Sequence, residues 1–264
     1  MCIKKVILPA MLSISMTWTF AQDTTRPAAA AGNEEIAQKL ANPVGNVISL
    51  PFQNNLFFGM GPSNGSKWLM NVQPVIPVQI TKDLNLISRV IVPVISQNNV
   101  FGPSGRQTGI GDVAYSAFVS PANPKPGGWI WGVGPIINLP LATDERLGLG
   151  KFGAGPTAVF LKPGRHTYGV LMWNMWAGGN SIGYMQPFFT KTFSNGASVG
   201  TSLEMTRNWT NETLSGIVSF SAAKVLNINK QIVSVSTGPI IGFGDDPFRP
   251  GWGWRFGISL VFPK

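Results

Sequence analysis

Trp252-Gly253-Trp254-Arg255-Phe256-Gly257-Ile258-Ser259-Leu260-Val261-Phe262 closes the chain with a strict alternation. Successive side chains of a strand point to opposite faces. Trp252, Trp254, Phe256, Ile258, Leu260 and Phe262 therefore share one face, and Gly253, Arg255, Gly257 and Ser259 share the other. The first face suits lipid and the second suits water. Similar short alternating stretches recur from Gly45 to Lys264, separated by tight and by longer Gly/Asp/Asn/Pro-rich connections. That recurrence is the signature of an all-β fold, an up-and-down antiparallel transmembrane β-barrel.

Strands are predicted near 46–59, 67–80, 84–95, 109–119, 129–139, 153–161, 167–176, 182–193, 197–208, 214–225, 231–242 and 252–262, about 12 in all. An even count leaves both ends on one side. Connections at 81–83, 120–128, 162–166, 194–196 and 226–230 then fall inside, and those at 60–66, 96–108, 140–152, 177–181, 209–213 and 243–251 fall outside. The longest outer loops face short inner turns, the asymmetry that bacterial outer-membrane barrels show.

Charged residues make up only 12% of the 264, with 31 Gly and 21 Pro, a composition unlike that of a soluble enzyme. Beyond the N-terminus no apolar run is long enough for a membrane helix. Residues 1–21 read as a cleaved signal peptide: Lys4 and Lys5 precede an apolar core from Val6 to Trp18, and Thr19-Phe20-Ala21 offers a cleavage site. Cys2 lies within it, so the exported chain has no cysteine and no disulfide. The formal charge of +9 falls to +7 without Lys4 and Lys5. Its cations are scattered singly, which argues against nucleic acid as a partner, since phosphate binding needs several on one surface.

Residues 22–44 read as a periplasmic leader with a short helix, Asn33 capping it, Glu34 and Glu35 at its positive end and Asn42-Pro43 stopping it. A linker turn is the plainer expectation and a plug or docking segment the more functional one. Residues 45–264 form the barrel.

All eight tryptophans beyond the signal fall near strand ends: Trp68, Trp173, Trp176, Trp209, Trp252 and Trp254 at the outer rim, Trp129 and Trp131 at the inner one. Two membrane-interface belts of amphipathic indoles are the expected pattern. Prolines 74, 77, 93, 135, 187 and 239 interrupt the strands, where each removes a ladder donor. Bulge-like kinks are expected there, bending the wall or opening it laterally.

Several segments resemble the MetA-pathway of phenol degradation family of bacterial outer-membrane proteins, some of which carry the label neuromedin U. They are Leu40-Ala41-Asn42-Pro43, Ser49-Leu50-Pro51-Phe52-Gln53-Asn54-Asn55, Asn71-Val72-Gln73-Pro74-Val75-Ile76-Pro77, Asn85-Leu86-Ile87-Ser88-Arg89 and Pro93-Val94-Ile95. Gly109-Ile110-Gly111-Asp112, the run from Gly127 to Pro135, Gly155-Pro156-Thr157-Ala158-Val159, Trp254-Arg255-Phe256 and Phe262-Pro263-Lys264 continue the likeness. The resemblance implies an outer-membrane barrel, often described as a transporter, with no catalytic residue or cofactor to carry over.

Charges inside strands carry the functional reading. A charge facing acyl chains near mid-bilayer costs about 2–4 kcal/mol for Arg or Lys, so Arg89, Asp112, Glu204, Arg207 and Arg255 are expected to line the lumen, as a salt-bridge network or a solute-selecting constriction. Lys191, beside Phe189 and Phe193, can snorkel to the inner rim. Gly148-Leu149-Gly150-Lys151-Phe152-Gly153 matches a dinucleotide-loop pattern by letter but lacks the strand before and helix after that the chemistry needs, and the Gly61 to Lys67 run fails the phosphate-loop spacing. His166 is the only histidine, so zinc sites and a Ser-His-Asp triad are hard to build. No metal or cofactor is expected.

Twelve tilted strands give a backbone diameter of about 24 Å and a lumen of about 12 Å after side chains. The expectation is a non-enzymatic channel or transporter in the outer membrane of a Gram-negative bacterium. It would pass small solutes, hydrophobic or aromatic ones among them, and have lipid and the barrel-assembly machinery as partners. A membrane-embedded lipid-modifying enzyme and a non-conducting structural or adhesion barrel are the alternatives.

Overall fold

The computed structural model describes residues 32–262, apart from 104, 126 and 230. The expected signal peptide, the first part of the leader and Pro263-Lys264 lie outside the described residues. A helix α1 (Asn33–Lys39) precedes fourteen strand segments: β1 (Ile48–Met60), β2 (Gly65–Val72), β3 (Val75–Gln79), β4 (Leu84–Asn98), β5 (Arg106–Ile110), β6 (Val113–Pro121), β7 (Ile130–Leu139), β8 (Gly153–Lys162), β9 (His166–Ala177), β10 (Asn180–Thr192), β11 (Ala197–Asn208), β12 (Thr213–Ile228), β13 (Gln231–Gly244) and β14 (Trp252–Phe262). β2 with β3, and β5 with β6, are halves of two interrupted spans that share β4 as a neighbour. The result is a closed antiparallel barrel of twelve strands. It closes where β1 pairs with β14, from Ile48 opposite Phe262 to Phe58 opposite Trp252.

Three of the prolines break ladders without shifting register. β6 and β7 lose pairing between Ser116–Ile136 and Val119–Val133, beside Pro135. β10 and β11 lose it between Met185–Met205 and Phe188–Ser202, beside Pro187, and β12 and β13 between Ser219–Ile240 and Ala222–Thr237, beside Pro239. No residue is inserted at any of the three, which corrects the expectation of bulges there: the missing N–H removes rungs on one side while the other neighbour stays paired, as Pro239 does with Trp254. At Pro93 the bulge is present, since Val94 pairs with Ile110 but Ile91 with Ala114, one residue more on the facing chain. Pro74 falls in the break between β2 and β3.

The outer wall is apolar. Leu56, Ile76, Val133, Phe160, Met172, Phe220, Ile241 and Phe256 are each more than a third exposed. A contiguous apolar belt of this extent is what a bilayer-spanning barrel presents. Trp68, Trp131, Trp176, Trp252 and Trp254 belong to this outward face by strand alternation, and Trp129 and Trp209, one residue outside β7 and β11, are exposed beside it. Trp129 stacks on Phe160 at 4.5 Å, Trp252 on Phe58 at 4.6 Å, and Trp254 donates to Thr237 Oγ1 at 2.7 Å. Lys191 lies over the Phe193 ring, 5.5 Å from its centroid.

The lumen is filled rather than an open bore of about 12 Å. At the end bearing the N-terminal helix, Ile36, Leu40 and Val47 pack with Val225, Ile232 and Val261. At the other end, loop residues Val100 and Leu147 pack with Phe57, Leu69, Ile217 and Ile240, and Phe101 stacks on Phe248 at 5.3 Å. α1 therefore covers the mouth instead of acting as a plain linker turn. Lys39 bonds Glu35 at 2.7 Å and Arg165 of the β8–β9 turn bonds Glu34 at 2.6 Å. Asn33 does not cap the helix: Gly32 holds the N-cap, and Asn33 Oδ1 accepts from Asn227 Nδ2 at 2.9 Å.

Candidate functional site: the polar layer of the lumen

Between these two apolar ends the inward residues turn polar, and the change is readable along single strands. β12 runs inward-facing from Val225 through Ser219 to Ile217, and β14 from Val261 through Ser259 and Arg255. Glycine flanks the guanidinium of Arg255, because a Cβ at Gly257 would sit 2.3 Å from Ser236 Oγ and one at Gly253 2.3 Å from Leu56 O.

A chain of hydrogen bonds crosses this layer. Arg89 Nη2 donates to Gln73 Oε1 at 2.6 Å, Gln73 Nε2 to Gln53 Oε1 at 3.0 Å, and Gln53 Nε2 to Asn55 Oδ1 at 3.2 Å. Arg255 Nε donates to the same Asn55 oxygen at 2.7 Å, and its Nη1 donates to Glu204 Oε1 at 2.7 Å. Ser202 donates to Glu204 at 3.3 Å and shares a 2.8 Å bond with Ser219. Gln53 and Asn55 have no exposed surface, and Arg89, Arg255 and Glu204 no more than 5%. These side chains fill the lumen at their level and leave no open passage through it.

The facing strands β6 to β10 carry a largely apolar inner wall, with Ser116, Thr157 and Gln186 among its buried residues. Ile87, Phe118, Ile130, Leu161, Leu171 and Met175 form one buried cluster that includes Trp173 stacked on Tyr184, ring centroids 5.2 Å apart. The lumen is therefore two-sided, carboxamides and charges facing rings and aliphatics. A small cavity of about 30 Å³ lies between Phe57, Lys67, Tyr184, Glu204 and Pro250, room for roughly one or two waters. Among the described residues several donors here have no partner: Arg255 Nη2, Asn71 Nδ2 and Trp173 Nε1 are buried and unbonded. Unspent buried donors leave the site short of acceptors.

Of the five charges expected in the lumen, Arg89, Glu204 and Arg255 meet in this layer. Arg207 does not. The β11–β12 register runs unbroken from Ala197 to Asn208, so Arg207 lies on the face opposite Glu204, over the exposed Trp209 ring at 6.0 Å from its centroid. Near the rim a guanidinium on an indole face can stand outward, which the mid-bilayer argument overlooked. Trp173 is corrected the other way: at 4% exposure it faces the lumen rather than the lipid interface.

Asp112 is inward but not free to select a solute. It sits in the break between β5 and β6, where Oδ2 accepts from Asn138 Nδ2 at 3.1 Å and Gly150 N at 3.0 Å and Oδ1 from Ala142 N at 3.2 Å. A Cβ at Gly148 would lie 2.5 Å from this carboxylate, which gives the glycine-rich loop its structural reason. Asp112→Ala should free the 140–152 loop: charge-assisted bonds of about 1.5–3 kcal/mol raise its open population about tenfold or more. Limited proteolysis followed by mass mapping reads the change, and unchanged cleavage would count against the anchor.

Asp246, in the outer loop after β13, has its carboxyl pushed above the usual carboxylate range by burial, against the Phe248 N–H that bonds it at 2.7 Å. Asp245 raises it further, and a Thr213 side-chain bond lowers it. A folded-state value above the unfolded one means that ionisation costs the folded loop stability. That cost is present at neutral pH and relieved as pH falls through the raised value. Protection factors for amide exchange in 245–251 should rise on acidification toward about pH 4, and Asp246→Asn should remove the trend.

Lys67 of β2 is a strand charge outside the expected set and Tyr184 of β10 is an aromatic member, whereas Gln53, Asn55 and Gln73 are uncharged members that strand charges do not reveal. Their signal was the polar residue recurring at every second place in Gln53-Asn54-Asn55 and Asn71-Val72-Gln73. His166 stacks on Phe189 at 6.1 Å, and among the described residues no hydroxyl or carboxylate bonds its imidazole. Among the described residues no three His, Cys, Asp or Glu stand where they could hold a metal.

The closed barrel with its apolar wall and polar inner layer defines a membrane β-barrel. Its fold is shared with an outer membrane channel from Pseudomonas putida F1, which superposes with a TM-score of 0.67 at 14% identity, covering 84% of this chain and 97% of that one. The β domain of the Bordetella autotransporter BrkA superposes at 0.47 with 11% identity, over 83% of this chain and 100% of that one. No family model and no curated protein matches the sequence.

Proposed function

We propose that the chain is an outer-membrane channel or transporter for small solutes, shut in this structure by the polar layer and by the caps at its two mouths. The observation that carries the reading is the placement of Arg89, Arg255, Glu204 and their carboxamide partners inside a barrel whose outside is apolar. A barrel serving only as scaffold gains nothing from burying an ion pair, since apolar packing of equal volume is as stable or more so. The fold it shares with a bacterial outer membrane channel supports the same reading.

The two-sided lumen favours solutes with an apolar or aromatic body and an oxygen acceptor. A carboxylate or carbonyl entering the layer takes the place of the amide oxygens on Arg89 and Arg255 and meets the unspent Arg255 Nη2, while its body lies against Leu171, Trp173 and Met175. Uptake into liposomes tests this: benzoate should enter faster than a neutral sugar of similar size, and Arg255→Met should narrow the difference. Equal rates for both solutes would contradict the assignment.

A further inference from the structure

The wall between β7 and β12 carries an outward groove of about 740 Å³ that the channel reading leaves unused. Register sets its floor. Val133, Ala158, Met172, Met185 and Met205 are successive partners across β7 to β11, forming one outward row. One row nearer the rim, Asn174, Gly183, Arg207 and Leu214 are successive partners across β9 to β12. The lower row is apolar, and three of its members are flexible thioethers that mould to irregular shapes. The upper row carries a carboxamide and a guanidinium.

Gly183 makes room for the Trp209 indole at the upper edge of the groove. A Cβ there would lie 2.7 Å from Trp209 Nε1, and the indole folds over this spot to donate to Asn174 Oδ1 at 3.1 Å. Arg207 lies against the same indole and makes no ion pair among the described residues. The groove therefore runs from cation to hydrocarbon along the direction in which a lipid runs from headgroup to tail.

The geometry points to a specific site for one phosphorylated lipid bearing more than two acyl chains, held in the leaflet at the rim opposite α1. Its phosphate takes the planar fork of Arg207, which suits a tetrahedral oxyanion better than a point charge does. Its chains lie on the methionine row. From Val133 to Met205 the row spans four inter-strand intervals, about 19 Å at about 4.8 Å each, a width that seats several chains abreast. The inference rests on the membrane orientation of the proposed function, but not on conduction.

Native mass spectrometry of the purified barrel tests it with three probes: a hexa-acylated diglucosamine bisphosphate, the same lipid without phosphates, and two-chain phosphatidylglycerol. The bisphosphate should bind about tenfold tighter than either, and Arg207→Gln should erase that margin. Met185→Trp, which fills the groove and leaves Arg207 in place, should weaken the bisphosphate by a similar factor. Heat-shifted mobility on a gel verifies that each variant is folded. Equal binding of the three lipids, or binding indifferent to both variants, would overturn the site. Loss of the Met185→Trp effect alone would overturn the seating of the chains, and loss of the Arg207→Gln effect alone the phosphate assignment. Conductance measured on the same preparations separates failure of this site from failure of the channel.

Discussion

Glu204→Ala is expected to lower the stability of the barrel by about 3–5 kcal/mol, the largest single-residue effect in the lumen. Arg255 loses its 2.7 Å partner and stays buried at 4% exposure, with Nη2 already unbonded. Asn55, through Nε at 2.7 Å, and Ser219, through a long 3.5 Å bond from Nη1, remain to hold it. The cost comes from the stranded charge rather than from the lost attraction. Replacing both ends, Glu204→Leu with Arg255→Met, should therefore recover most of the loss or exceed wild type. Urea unfolding followed by the shift between folded and unfolded gel mobility reads the cycle. Equal destabilisation in the single and double variants would show that the pair acts only through packing.

The second large effect is on selectivity. At an effective dielectric near 20, a unit charge about 8 Å from a passing ion is worth about 2 kcal/mol. Arg89→Glu changes the lumen by two unit charges, so the permeability ratio of anion to cation should fall at least about tenfold. To receive the new carboxylate the Gln73 amide must turn over and give up its donation to Gln53, so folding of the variant is verified first by its heat-shifted mobility. Reversal potentials in a salt gradient measure the ratio. An unchanged ratio in a conducting Arg89→Glu barrel would remove Arg89 from the permeation path.

The fold was largely legible because alternation and loop length speak for the same topology. The expected strand at 67–80 and that at 109–119 each proved to be a split span, broken at Gln73-Pro74 and at Gly111-Asp112. A propensity argument sees continuous apolar alternation there and cannot see which rungs are missing. The site was legible only in part. Arg89, Glu204 and Arg255 declared themselves because a charge in an apolar strand has few places to go. Arg207 misled because the same cost vanishes at the rim, and Trp173 because nearness to a strand end does not fix which face an indole takes. Closure of the lumen was legible only as an alternative, a plug segment at 22–44 or a salt-bridge network among the strand charges. It depends on Val44, Val100 and Leu147 folding in from segments outside the strands, and no periodicity in the strands records that.

Single-channel recording of the purified chain in a planar bilayer tests the central claim most directly. Discrete, infrequent openings are expected from wild type, with longer openings once the polar crossing is cut by Gln53→Ala. Silence from both proteins, each shown to be folded by its heat-shifted mobility, would contradict a channel.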